Sequence, residues 1–224
     1  MKSVLVSCLA VFAVAAPSEK LVLRQNEVGS TSNEFTQGGC RDIIMLFARG
    51  SVEAGNMGTI CGPQTGQGLK ENFGADNVAV EGIEYGALLS TNFLPGGASI
   101  KGIQEMKNLI AKATDECPDS KLVVGGYSQG AAITHRAVED LPQNQKDQIT
   151  AAFTFGDTQS QQDNGQIPNF PTDKTNVICN PGDAVCLGTL TILPPHLDYT
   201  RRAAEQVEFL TNKLETAGKK RRKQ

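Results

Sequence analysis

Only two histidines occur among the 224 residues, tryptophan is absent, and aromatic residues make up 5%. A histidine-dependent reaction would therefore have to use His135 or His196. No Asn-x-Ser/Thr triplet is present, which excludes N-glycosylation. The six cysteines include no C-x-x-C pair, which argues against a zinc site. Beyond the first residues, no apolar run approaches the roughly 20 residues needed to cross a bilayer. Internal repeats and long linkers are also missing, so nothing divides the body of the chain. Positive charge is scarce outside one place. The net charge is −3, but Lys219, Lys220, Arg221, Arg222 and Lys223 supply five positive charges in one run, and the rest carries −8. An acidic body argues against nucleic-acid binding. A terminal run of like charges is expected to be solvated and disordered.

What is present points to export. Residues 1–16 read as a signal peptide, with Lys2 in the n-region, an apolar stretch from Val4 to Val14, and Ala13, Ala15 and Ala16 for cleavage. A polar segment, 17–39, follows and could be trimmed as a pro-segment after Arg24. The body is then 40–218 and the basic tail 219–224. Once Cys8 has left, five cysteines remain, and an oxidising compartment favours disulfides. The expected location is extracellular.

Strands and helices alternate along the body. Residues 42–50, 77–85, 121–127, 149–155 and 176–179 are short apolar runs of strand type. Residues 65–73, 98–115, 129–141 and 200–216 carry helical character, with apolar spacing clearest in 98–115. The alternation implies an α/β fold with a five-stranded, mainly parallel sheet and helices on both faces, a three-layer sandwich. Cys40 and Cys117 precede the first and third strands, which are neighbours in a doubly wound order, so their pairing is sterically reasonable. Cys179 and Cys186 would close a small loop around Asn180-Pro-Gly-Asp183. Cys61 is left as a free thiol, expected to be a small buried hydrophobe.

Gly126-Tyr-Ser128-Gln-Gly130 is the strongest chemical signal. It matches the G-x-S-x-G nucleophile elbow, with a buried strand before it and a helix after it, as in an α/β-hydrolase-like fold. Ser128 needs a base. His135 lies two helical turns on, roughly 10 Å along the axis, and is expected to be a surface or packing residue. His196, in Leu193-Pro-Pro-His196-Leu197, is the favoured base. Asp183, thirteen residues before it, suits the order nucleophile, acid, base. Asp157, Asp173 and Asp198 are rivals for the acid. The oxyanion hole should use the backbone N–H of Gln129 and a donor from Ala48-Arg-Gly-Ser51, where Ser51 offers both N–H and hydroxyl.

At this point the sequence resembles the fungal cutinases, within the cutinase and acetylxylan esterase group of small serine esterases. The resemblance rests on Ala48-Arg-Gly-Ser51 with Glu53 and Gly55-Asn-Met-Gly58; Asn92 with Leu94-Pro-Gly96; Gly125-Gly-Tyr-Ser-Gln-Gly130; Ile167-Pro-Asn-Phe-Pro171; and Cys179-Asn-Pro-Gly-Asp183 through Cys186 to Pro195-His196. It spans roughly residues 38–214. It implies a triad of Ser128, Asp183 and His196, and an oxyanion hole from Ser51 and Gln129 with Asn92 positioning the Ser51 hydroxyl. It also implies the disulfides Cys40–Cys117 and Cys179–Cys186. Cys61 and the basic tail depart from the common family pattern.

The expected activity is hydrolysis of cutin and of short-chain esters through an acyl-enzyme, with no metal or organic cofactor. The expected partner is an insoluble polyester or lipid-like ester, with no stable membrane insertion, and a monomer is the simplest state. Leu187, Leu190, Ile192, Leu193 and Leu197 surround the base, and Leu88, Leu89, Phe93 and Leu94 form an opposing rim. An exposed apolar rim would suit a lipid or polyester surface; the alternative is that about half of these side chains simply pack against the core. An acetylxylan esterase would need a polar site instead. A secreted surface-binding or host-recognised protein with an incidental esterase site is the alternative of another class.

Overall fold

The structure, a computed structural model, describes residues 27–221. The expected signal peptide, the cleavage after Arg24 and the last residues of the basic tail lie outside the described residues. The elements run α1 (Glu34–Gly38), β1 (Ile43–Ala48), α2 (Gly62–Phe73), β2 (Val78–Gly82), α3 (Ile100–Glu116), β3 (Lys121–Tyr127), α4 (Gln129–Val138), α5 (Gln143–Gln148), β4 (Ile149–Phe155), β5 (Thr175–Ile178) and α6 (Ala203–Arg221). The sheet order is β2-β1-β3-β4-β5, and all four pairings are parallel.

Apolar runs without alternation produce this architecture, because a strand covered on both faces can bury every side chain. Along β1, Ile44, Leu46 and Ala48 face one core, with Met106, Leu109 and Ile110 of α3 and Ala132 and Ile133 of α4. Ile43, Met45 and Phe47 face the other, with Leu69 of α2 and Leu210 and Leu214 of α6. Full burial of such a side chain contributes roughly 2 kcal/mol. An exposed helical ion pair such as Lys112–Glu116 contributes at most about 0.5 kcal/mol. The two cores, not surface charge, hold the sheet.

Local signals set the element ends. Pro63 in the first turn of α2 suits a helix start, since its missing N–H would have no partner there. The Ser99 hydroxyl accepts from the Gly102 N–H and caps α3. At the other end of the chain, α6 continues through Arg221, so its helix enters the basic run that was expected to be disordered. Residues 28–39 are integral to the body rather than a loose lead-in. Phe35 is in the core, the Ser32 hydroxyl donates to the Val80 carbonyl, and the Glu81 carboxylate accepts from the Phe35 and Thr36 N–H groups.

Both expected disulfides are formed. Cys40–Cys117 ties the starts of the neighbouring strands β1 and β3 across 77 residues, and Cys179–Cys186 closes a span of seven. Loop-closure entropy makes the first worth about 4 kcal/mol and the second about 2 kcal/mol in the chain-entropy account. Cys61 is a buried free thiol. Burial and then the Glu53 charge push its pKa up, so it remains a neutral apolar filler.

His135 is fully buried, a packing residue and not a surface one. Its Nε2 bonds Asp157 and its Nδ1 bonds Asp163, both at 2.8 Å. Asp157 also accepts from the Thr154 hydroxyl and the Gln159 N–H, while Arg136 pairs with Asp163. Burial opposes protonation of His135, but the two carboxylates outweigh it and raise the pKa from 6.5 to about 9. Burial likewise works against the Asp157 charge, but His135 and the hydrogen bonds lower its pKa overall. The raised histidine contributes stability that is complete below 6.5 and lost as pH rises through about 9. The lowered aspartate contributes stability that is lost on acidification below the usual carboxylate range. Removing the histidine leaves buried carboxylates unpaired, which costs about 3 kcal/mol. We therefore expect H135Q to lower Tm most near pH 6, with the gap to wild type narrowing as pH rises past 9. Thermal unfolding of both proteins across pH tests this, and a constant gap would refute it.

Candidate active site

The site is assembled where the strand order reverses between β1 and β3, at the carboxyl ends of the strands, the usual position for ligands in such sheets. β3 delivers Ser128 into a left-handed backbone conformation, φ 56° and ψ −117°, before α4 begins. That turn needs its two glycines. A Cβ on Gly126 would lie 2.1 Å from the Gly130 carbonyl oxygen, and one on Gly130 would lie 1.9 Å from the Ala48 carbonyl oxygen. The Ser128 N–H donates to the Phe155 carbonyl at 3.0 Å, which anchors the turn to β4.

His196 sits in the one-turn helix Pro194–Leu197, behind two prolines. Its Nε2 is 3.0 Å from Ser128 Oγ and its Nδ1 is 2.9 Å from Asp183 Oδ2. With the neutral imidazole donating Nδ1–H to the carboxylate, the Nε2 lone pair faces the serine hydroxyl. Gly156, at φ 50°, makes room for the ring, since a Cβ there would lie 2.9 Å from His196 Cε1. Tyr127 stacks on the imidazole at 5.3 Å and donates its hydroxyl to the His196 carbonyl at 2.7 Å. Asp183 lies inside the Cys179–Cys186 loop, and its Oδ1 accepts from the Val185 N–H. The three rival carboxylates are engaged elsewhere: Asp157 with His135, Asp173 near Lys213, Asp198 with Arg201.

Ser51 stands on the loop after β1. Its hydroxyl oxygen accepts from Asn92 Nδ2 at 2.9 Å and from Gln129 Nε2 at 3.1 Å. With both lone pairs taken, its own proton is left to donate outward. Sequence reasoning singled out Asn92 and the Gln129 backbone but missed the Gln129 side chain. It also missed the roles of Tyr127 and of Tyr199, whose hydroxyl donates to Asp183 Oδ2. Tyr127 was visible as the second residue of the elbow motif, but nothing in one sequence marks Tyr199.

Glu53 explains why the loop carrying Ser51 keeps its shape. Its carboxylate accepts from the N–H groups of Gly50 at 2.7 Å, Thr59 at 2.9 Å and Ile60 at 3.0 Å. A Cβ on Gly58 would strike that carboxylate at 2.4 Å. Arg49 adds bonds to the carbonyls of Glu53 and Tyr85.

Ser51, Ser128 and His196 open into a cleft of about 600 Å³. Val52, Ile60, Leu89 and Phe93 line it from the segments after β1 and β2, and Val185, Leu190, Ile192 and Leu197 from those around Asp183 and His196. The exposed apolar rim expected from the sequence is present, and the alternative that about half of it packs against the core does not hold. All nine are exposed, from 38% at Leu94 to 78% at Phe93. Five of them, Leu89, Phe93, Leu190, Ile192 and Leu197, line the cleft itself.

The cutinase family model matches residues 39–214. The chain belongs to the cutinase family. It is 46% identical to Cutinase CUT2 of Pyricularia oryzae over 205 residues, covering 92% of this chain and 96% of that one. It is 45% identical to Cutinase 2 of Fusarium vanettenii over 204 residues, 88% of each chain. A Trichoderma reesei cutinase solved in complex with a phosphonate inhibitor superposes with TM-score 0.74 at 34% identity, over 88% of this chain and 85% of that one. An acetylxylan esterase shares the fold, with TM-score 0.59 at 18% identity over 78% of this chain and 100% of that one.

In this cutinase-family chain the loop bearing Ser51 hangs on one carboxylate, which gives a direct test. E53Q replaces one acceptor oxygen by an N–H donor facing backbone N–H groups. We expect a stability loss of about 2 kcal/mol. Amide hydrogen exchange should accelerate at Gly50, Thr59 and Ile60 but not in β3. Unchanged exchange at those three amides would show that Glu53 does not hold the loop.

Proposed function

We propose that this chain is a secreted serine carboxylic ester hydrolase that cleaves the ester bonds of cutin, a hydroxy-fatty-acid polyester, and of short-chain soluble esters. The carrying observation is the continuous chain of hydrogen bonds Ser128–His196–Asp183 at the mouth of an apolar cleft. Family membership and the names of the relatives support the substrate class. The two disulfides fit an oxidising destination. Among the described residues no helix is long and apolar enough to cross a membrane. The enzyme acts as a monomer.

Ser128 Oγ attacks the ester carbonyl while His196 Nε2 takes its proton. The resulting oxyanion is held by the Ser51 hydroxyl and by the Ser51 and Gln129 backbone N–H groups, with Asn92 fixing the Ser51 rotamer. The imidazolium, stabilised by ionised Asp183, protonates the leaving alcohol, and an acyl-enzyme remains. Water then attacks with His196 again as base, releasing the acid and restoring Ser128. Because His196 must be neutral to start, kcat/KM rises with pH along an acid limb. Exposed apolar rims on both sides of Ser128 let the mouth settle on an insoluble apolar surface, where a soluble monomer would otherwise hide them.

Hydrolysis of p-nitrophenyl esters from acetyl to palmitoyl tests the reading. A maximum near butyrate, abolished in S128A, is expected; a sharp acetyl optimum or equal rates in wild type and S128A would overturn it. A separate comparison concerns the oxyanion. S51A should lower kcat roughly 100-fold and N92A about tenfold, both with little change in KM. Equal kcat in wild type and S51A would remove the Ser51 hydroxyl from the mechanism.

A further inference from the structure

Asp183 Oδ2, the oxygen that binds His196, receives a second hydrogen bond. His196 Nδ1 lies 2.9 Å from it, and the Tyr199 hydroxyl donates to it at 2.7 Å. Both Asp183 and Tyr199 are buried, so no bulk water competes for that oxygen. The phenol oxygen in turn accepts from the Asn180 N–H at 2.7 Å. The Asn180 side chain donates to the Pro195 and Asp198 carbonyls at 2.8 and 2.9 Å. Tyr199 and Asn180 therefore join the loop bearing the acid to the loop bearing the base. The Tyr199 ring also meets His196 edge-on at 6.2 Å and packs on Phe155 and Tyr127. Burial pushes the phenol pKa well up, so it stays a donor through the working pH range.

We infer that Tyr199 is a positioning residue that sets how strongly Asp183 supports the protonated form of His196, and thereby fixes the pH at which the esterase switches on. The inference rests on the triad reading above. A carboxylate oxygen that shares its charge between two donors stabilises the imidazolium less than one that serves the imidazole alone. Loss of the phenol concentrates the charge on the His196 hydrogen bond. The imidazolium then persists to higher pH, and the acid limb of kcat/KM moves up with it.

The other titratable groups near this network bind elsewhere. The Tyr127 hydroxyl donates to the His196 carbonyl, and the Glu53 carboxylate is taken by backbone N–H groups. Arg202 bonds Asn180 and Glu205, and Cys61 is a buried thiol. Tyr199 itself is not in the wall of the cleft, so its effect should not pass through substrate binding.

The experiment is the pH profile of kcat/KM for a soluble ester, measured on the full secreted protein. In Y199F the midpoint of the acid limb should rise by about 0.5–1 pH unit with KM unchanged. A singly fluorinated tyrosine at position 199 is a slightly stronger donor of nearly the same size, and it should move the midpoint the other way. Midpoints unchanged in both variants, with only Tm lowered, would make the phenol merely structural and overturn the inference. If Y199F does not fold, the fluorinated protein decides alone by the sign of its shift. S128A separates the two readings: residual activity there would sink the triad, whereas an unmoved Y199F midpoint would sink only the role of Tyr199.

Discussion

The closeness with which α4 approaches β1 governs everything at the site. Gly130 brings the first turn of that helix against the Ala48 carbonyl, at a separation no side chain tolerates. Gly126 allows the strand to pass under the same turn. Only with both can β3 end, reverse and enter a helix within one residue, and that residue is Ser128 in a left-handed conformation. A backbone forced into this region costs about 1–3 kcal/mol, so the surroundings must over-determine it. They do so through the cores on both faces of the sheet and the hydrogen bond from Ser128 to β4. The same close packing sets the Gln129 side chain beside the loop after β1, where it reaches Ser51.

Rigid strands place the proposed nucleophile, Ser128, but loops place the proposed acid and base, Asp183 and His196, and loops need other restraints. Here they are covalent and polar. The Cys179–Cys186 bridge limits the loop around Asp183, two prolines stiffen the approach to His196, and Asn180 and Tyr199 tie the two together. On the opposite side of the cleft, Glu53 gathers three backbone N–H groups into one carboxylate. These devices leave the rim between them uncovered. Its leucines and Phe93 leave much of their apolar area in solvent, so their place on the surface fits an apolar substrate better than a stability role.

The parts of the molecule legible in the sequence are those fixed by local pattern. β3 and β4 match their expected bounds because each is a continuous apolar run, buried on both faces and bounded by polar residues or a turn. The elbow was legible because strand, glycines and helix follow one another directly along the chain. α5 was missed: Gln143-Asn-Gln-Lys-Asp-Gln148 has no apolar period, and its helix depends on packing beside α3. The last helix begins three residues late because Thr200–Arg202 forms a tighter turn first. At the site, Ser128, Asp183 and His196 were readable from motif and order. The contacts that orient them were not, because Tyr199, Asn180 and the Gln129 side chain act across the chain and leave no spacing to detect.

The two histidines show how one pairing chemistry gives opposite outcomes. Both are buried and both bond carboxylates. His135 has a carboxylate on each ring nitrogen, so both nitrogens must donate and the ring is held as a cation. A cation locked in this way cannot accept a proton, whatever lies near it. His196 has a carboxylate on one side only, and that carboxylate already serves Tyr199 and the Val185 N–H. Its other nitrogen faces a hydroxyl, which can donate to it. The difference between the structural clamp and the proposed general base thus lies in the partner of the second nitrogen. Where that partner is an alcohol held by a strained turn, as at Ser128, the imidazole keeps a lone pair available for chemistry.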